Sequence, residues 1–430
     1  MRAGSATSGS SLIFSQPKAI NTLFCFFGHL LVYFSPQYTL GLIQRIFREF
    51  VSYPVEEELV SPATRVVFTH SKRTRQPICL KVWLRCSNEL YDTEDIARCT
   101  NYMIDGLKFN RKFAQNVYLG IAPVQLDEHT IRRGWLISEP EKCVLEPGVE
   151  YALVMRCLEK GWQLDQLLSE GKLATEAHMA FLAEEVARFH KHLASSPRDM
   201  GNYDCILSKL DINMHLFNKA LYQLDEGYLE KYGWISDLMD QACEGYRGRF
   251  DLRYATGHIK RCHGDLKSTN LWVRPEKSLF FGLKKYPRQL LALDCVDFNH
   301  PEFCHIDTLS DVAMLAIDIE ARLTIQAAED PQEQRSRGLA EHFLNVYLQE
   351  LKENSKISWP LLEYYMTEKA IICAYMSILY DNLTELGETY LEVALAHAQK
   401  LEQQLICPEV AEPNGHSQRL PTLIETILSD

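Results

Sequence analysis

The sequence is short of the signals that mark several large classes of protein. Its 13 cysteines are scattered from Cys25 to Cys407, and no two form a C-x-x-C pair. An odd number without paired spacing excludes a disulfide framework and points to a reducing compartment, with most thiols serving as small buried apolar groups. Basic residues are also in deficit. The 45 Lys and Arg face 57 Asp and Glu, giving a net charge of -12, which argues against a nucleic-acid-binding surface. There is no internal repeat and no low-complexity run.

Long apolar runs are missing too. The nearest approach is Ala19 to Gln44, "AINTLFCFFGHLLVYFSPQYTLGLIQ", which holds no Asp, Glu, Lys or Arg. Its densest part, Leu23 to Phe34, contains Gly28 and His29 and stops at Ser35-Pro36. That falls short of the roughly 20 apolar residues a helix needs to cross a bilayer. A helix packed on the protein is the preferred reading, ahead of an interfacial membrane helix and then a true span. The expected location is therefore cytoplasmic, with peripheral membrane contact through residues 19–44 as the alternative.

What is present belongs to an ordinary globular protein. An apolar fraction of 46% with 24% charged residues, over 430 residues, allows two or three packing units. "VVFT" at 66–69 and "ICLKVWL" are rich in β-branched and aromatic residues and read as two strands joined by a turn. Ile96, Met103, Leu107 and Phe113 suggest a helix. "VYLGIAPVQL", "GWLISEP" and "YALVMRCL" read as further strands. After Gly161 the pattern is helical, with Met179, Leu182, Val186 and Phe189 on one face of Thr175 to His192. Two helices are expected within 206–256 and a pair or more within 337–405. The expected layout is an apolar extension over 1–60, a small strand-rich lobe with one helix over 61–153, a large helical lobe over 154–405 and a loose tail over 406–430.

Inside the helical lobe lies "RCHGDLKSTNLWV", followed by "QLLALDCVDF". "NLWV" and "QLLALDCVDF" read as a hairpin. Asp265 and Asn270 then sit on the loop entering it, and Asp294 at the end of its second strand. Phosphoryl transfer from a nucleotide needs a carboxylate to accept the hydroxyl proton of the acceptor and hard oxygens to hold magnesium against the phosphates. Asp265 suits the first task, and Asn270 with Asp294 the second. Lys267 could neutralise charge on the phosphate in flight, and Lys81 could hold the other phosphates.

The series "HGDLKSTN", "LALDCVDFN" and "IDTLSDVAML" resembles the aminoglycoside-phosphotransferase branch of the protein-kinase-like fold. It is most similar to a large bacterial group in which such a domain is often fused to a P-loop kinase half. The likeness runs from about residue 62 to 405 and includes "GLKFNRKFAQNVYLGIAPV", "VARFHKH" and "LLEYYMTEKAI". Gly171-Lys172 is followed by Leu173 and lacks the upstream glycine of a P-loop, so the kinase-like half alone is expected. The resemblance implies an α+β, bilobal fold and an ATP- and Mg2+-dependent phosphotransferase acting on a hydroxyl of a small molecule. It implies Asp265 as catalytic base, Asn270 and Asp294 as metal ligands, and Lys81 as the phosphate-holding lysine. Val154, Met155 and Arg156 would form the hinge that meets adenine. His263 would brace the loop, and Asp307 or Asp311 would bond its backbone.

Three departures stand against that pattern. The turn "THSKRTRQP" has no glycine to let backbone amides approach phosphate. A solvated turn is the preferred reading there, and side-chain charge from Lys72, Arg73 and Arg75 the alternative. The partner expected for Lys81 is replaced by Ile104-Asp105-Gly106-Leu107, with Asp105 the nearest acid. Asp294 is followed by Cys295-Val296, so the activation switch of protein kinases is not expected. Asp297 reads as a turn cap before it reads as a second ligand. A zinc site among Cys262, His263, Asp294, Cys304 and His305 matches no usual ligand spacing. The rival to an enzyme is a non-catalytic kinase-like module that binds nucleotide or a partner protein.

Overall fold

The computed structural model describes residues 51–406 apart from 62, 71–75, 91, 127–129, 276–286, 298–300, 330–337 and 382. The apolar stretch 19–44, the basic residues Lys72, Arg73 and Arg75, and the tail beyond 406 lie outside the described residues. The chain divides into two compact units. Residues 51–58, 66–82 and 119–156 make a strand-rich one, and 59–65, 83–118 and 157–406 a larger, mostly helical one. The fold is α+β, with a small β-rich part and a larger, mostly helical part as expected from the sequence, and the helix Ile96–Ala114 belongs to the larger unit.

Strands Val51–Pro54 (β1), Glu57–Val60 (β2), Thr64–His70 (β3), Pro77–Trp83 (β4), Tyr118–Leu126 (β5), Thr130–Arg133 (β6) and Tyr151–Arg156 (β7) form one sheet in the order β1-β6-β5-β7-β4-β3-β2. The two-residue alternation of a strand sends Leu80 and Val82 of β4, and Ala152 and Val154 of β7, into a core with Val67, Ala122, Val124 and Ile131. "GWLISEP", expected as a strand, is not one. Gly134 and Pro140 punctuate it, Pro140 opens a 3-10 turn, and only Ile137 makes a bridge, to Ile121. The pairing falls earlier, on β6.

The helical unit begins with Ile96–Ala114 (α1), where the Asp95 side chain accepts the Arg98 N–H at 2.7 Å and so caps a free helix end. Met103, Leu107, Phe109 and Phe113 form its buried face. Then come Leu164–Ser169 (α2), Glu176–His192 (α3), Tyr203–Leu224 (α4), Glu226–Tyr232 (α5), Trp234–Gly245 (α6) and Arg247–Ala255 (α7). Four helices occupy the stretch where two are expected, because the chain is cut three times. Asp225 leaves one helix and caps the next through the N–H groups of Gly227 and Tyr228, and the chain breaks again at Gly233 and Tyr246.

Thr308–Glu329 (α8), Leu339–Leu351 (α9), Ser355–Leu379 (α10) and Thr384–Ile406 (α11) complete the unit. Helix α8 is covered on all sides over Val312 to Ile317 and again at Ile319, as a helix that is apolar all round must be. Among the described residues, no helix is long and apolar enough to cross a membrane.

Candidate active site

Short elements deliver the "HGD" motif to the surface of the helical unit. Strand Ile259–Arg261 (β8) pairs with His305–Asp307 (β11), and a 3-10 turn, Ser268–Asn270, leads into the expected hairpin of Leu271–Pro275 (β9) and Pro287–Ala292 (β10). The loop 262–267 joins them. Gly264 has φ 84, and a Cβ there would stand 2.6 Å from the Phe303 carbonyl oxygen, so conformation and crowding both require glycine.

Within this loop the Asn270 amide nitrogen donates to Asp265 Oδ2 at 2.8 Å and to the Asp265 carbonyl at 2.9 Å. Lys267 Nζ lies 3.3 Å from the same Oδ2. Asp265, with 33% of its side chain exposed, therefore has one carboxylate oxygen tied down, and among the described residues no donor reaches Oδ1. The Asp265 charge pushes the Lys267 ammonium above its ordinary pKa, so it stays a cation. With both amide hydrogens of Asn270 engaged, its Oδ1 remains as a hard neutral oxygen.

Asp294 is brought close by the backbone. The Leu293 N–H donates to the Asn270 carbonyl at 2.9 Å, and His263 Nε2 donates to the Leu293 carbonyl at 2.9 Å. Hence the residue after Leu293 leaves the hairpin beside Asn270. Asp294 has φ 62, a left-handed conformation that is uncommon outside glycine and that clusters at functional sites. The donor set of carboxylate and amide oxygens fits a hard cation such as magnesium.

Helix α8 holds the loop from beneath. Asp311 accepts the His263 N–H at 3.1 Å and the Gly264 N–H at 2.9 Å, and Asp318 accepts the Ser268 N–H at 2.6 Å. Seven residues are close to two helical turns, so both carboxylates look out on one side. Burial opposes ionisation of each. Even so, His190 beside Asp311, and Arg322, Ser268 and Tyr390 around Asp318, hold both carboxyls below the usual range. His190 in turn has Nε2 3.0 Å from Asp311 and Nδ1 2.5 Å from the Tyr347 hydroxyl.

Of the two acids expected to bond the loop backbone, Asp311 is the one that does. Asp307 instead takes a two-pronged contact from Arg253, at 2.6 and 2.7 Å, and caps the Leu309 N–H. Lys81, Val154, Met155 and Arg156 lie in the strand-rich unit. There β4 and β7 set Lys81 opposite Leu153, Leu80 opposite Val154, Cys79 opposite Met155 and Ile78 opposite Arg156. Asp297 tucks against α1, its Oδ2 standing 2.0 Å from where a Gly106 Cβ would be. Among the described residues, one His, Cys, Asp and Glu group is tight enough for a metal, His190 with Cys262 and Asp311, and it shares only Cys262 with the zinc list. Burial holds the Cys262 and Cys295 thiols well above their ordinary pKa, which suits packing groups and not ligands.

Sequence reasoning missed Asp318, Asn110, Tyr118 and Asp381. Asp311 and Asp318, seven apart and separated by the apolar run Val312 to Ile317, were a readable signal of two carboxylates on one face. Asp381, just past α10, lies in the field of Lys267 and Asp265. No spacing pointed to it or to the α1 residues.

No protein-family model matches the chain, and no curated protein matches it. Solved structures do. Ethanolamine kinase of Plasmodium vivax matches at 11% identity with a TM-score of 0.43, covering 89% of this chain and 90% of that one. A glucosamine kinase matches at 12% identity and 0.41, covering 83% and 95%. A glucosamine kinase in complex with glucosamine, ADP and inorganic phosphate matches at 11% and 0.39, covering 87% and 98%.

Proposed function

We propose that the protein is an ATP- and Mg2+-dependent phosphotransferase that moves the γ-phosphoryl group to a hydroxyl of a small molecule. The observation that carries this reading is the loop 263–270. A carboxylate one-third exposed is oriented through one oxygen by Asn270 and Lys267, while the loop that carries it is fixed at the N–H groups of His263, Gly264 and Ser268 by two buried carboxylates. Phosphoryl transfer is mainly positioning and electrostatics, and such a loop supplies both.

In this reading the acceptor hydroxyl gives its proton to Asp265 Oδ1. Its oxygen bonds to phosphorus as the bond from phosphorus to the ADP oxygen breaks. Lys267 offsets charge on the phosphoryl oxygens in transit. Asn270 Oδ1 and the Asp294 carboxylate would hold magnesium, which neutralises phosphate charge when bound. Lys81 would take the remaining phosphates and the backbone of Val154 to Arg156 the adenine.

Thermal unfolding with ATP, with and without magnesium, tests the reading, beside an Asp294→Ala control. A ligand near 100 times its Kd should raise the midpoint of a chain of this size by about 3 °C. A rise that needs magnesium and disappears in the variant supports the site and opens a screen of hydroxyl acceptors. An unmoved midpoint at millimolar ATP and magnesium points instead to a non-catalytic module.

A further inference from the structure

Among the described residues two non-glycine positions have positive φ, Lys352 and Asp294. Lys352 is the residue that ends helix α9, a place where the left-handed turn is routine. Asp294 ends no helix, and its conformation needs another cause.

The residues that grip it come from the other end of the unit. Asp294 donates its N–H to the Tyr118 hydroxyl at 2.8 Å, and Cys295 donates its own to Asn110 Oδ1 at 3.1 Å. Asn110 is itself fixed, because its nitrogen donates to the Gly106 carbonyl at 2.9 Å and so turns Oδ1 toward Cys295. The next N–H, of Val296, goes to the His263 carbonyl at 2.9 Å. Strand pairing stopped at Ala292, so side chains of α1 and Tyr118 take over where the ladder ends. Tyr118 and Asn110 are both buried, which keeps water from competing for these amides.

We propose that Tyr118, seconded by Asn110, is a positioning residue that holds Asp294 in its left-handed conformation and thereby sets the affinity for magnesium. The inference rests on the reading of Asp294 as a magnesium ligand. Loss of one orienting contact of this kind weakens metal binding by roughly 10 to 100-fold in other sites.

The test titrates magnesium into the wild-type chain, Tyr118→Phe and Asp294→Ala, each holding ADP, by calorimetry. ADP affinity without metal and the unfolding midpoint are measured in parallel. Tyr118→Phe should weaken magnesium about tenfold while metal-free ADP affinity stays within about twofold. A role confined to packing would move the midpoint and leave the magnesium step alone. If Asp294→Ala abolishes magnesium binding and Tyr118→Phe keeps wild-type affinity, the inference about Tyr118 is wrong and the metal assignment stands. If Asp294→Ala binds magnesium like the wild type, the metal assignment fails and takes the inference with it. Should the Phe variant not fold, Asn110→Ala carries the test through Cys295, with a loss of about fivefold expected and an unchanged affinity again overturning it.

Discussion

Asp311 and Asp318 bind backbone N–H groups of the loop 263–268, whereas Asp307, Glu353 and Glu363, also buried, bind the side chains of Arg253 and His397. The chemistry is the same and the partners differ. A carboxylate that takes main-chain amides fixes where a loop runs. Asp311 and Asp318 take side chains as well, but Asp307, Glu353 and Glu363 give the loop no acceptor and instead tie separate elements of the scaffold together. The first pair should therefore show itself in binding and rate, and the second group in stability.

Arg253 offers the largest break in that comparison. It is 3% exposed and sits between Asp307 and Glu353, with contacts of 2.6 to 2.7 Å to each. Arg253→Ala leaves buried Asp307 without its cation and Glu353 with His258 alone, a change that costs about 3–5 kcal/mol. The unfolding midpoint should fall sharply while the remaining folded protein keeps its magnesium-dependent ATP affinity. A folded variant with intact stability but lost nucleotide binding would contradict the division drawn here.

Asp318→Asn sharpens the contrast from the other side. The amide has a single oxygen, so it cannot accept both the Ser268 N–H on one side and the Tyr390 hydroxyl on the other, and Arg322 loses its charged partner at 3.0 Å. About 2 kcal/mol of stability should go with that charge-assisted bond. Once an acceptor is found, kcat should drop roughly tenfold with the KM for ATP unchanged, since the loop that carries Asp265 loses registration. Equal stability loss with an unaltered kcat would place Asp318 with the scaffold group.

How much of this was legible in the sequence follows the range of the forces involved. The loop motif, the hairpin and the faces of α1 and α3 are set by local spacing, and Met179, Leu182 and Val186 are buried as their period predicts. The cuts at Asp225 and Gly233 are local too, but a capping side chain inside a continuous apolar pattern is easily read through. The false strand at 134–140 shows the opposite error, an apolar pattern that meets β5 at Ile137 but is held to a single bridge between Gly134 and Pro140. Contacts such as Tyr118 to Asp294 join residues 176 positions apart, and no period or motif announces them.

The smallest effect expected is a pH dependence that separates two members of the scaffold group. Burial works against a charged His397, but Glu320 at 3.0 Å and Glu363 at 2.6 Å outweigh it and raise the imidazole to about 9 from 6.5. A pKa raised by folding contributes stability that is complete below 6.5 and lost as the pH rises through about 9. Glu353 runs the other way. Burial opposes its charge, yet His258 and Arg253 bring it down to about 2 from 4.5, so its contribution is complete above 4.5 and lost as the pH falls toward 2. Wild-type stability should decline by about 1 kcal/mol per pH unit between 7 and 8.5 on account of His397. His397→Gln should flatten that alkaline slope and leave the acid one in place. Denaturant unfolding at a series of pH values reads both limbs, and an alkaline slope that survives the substitution would assign it to another group.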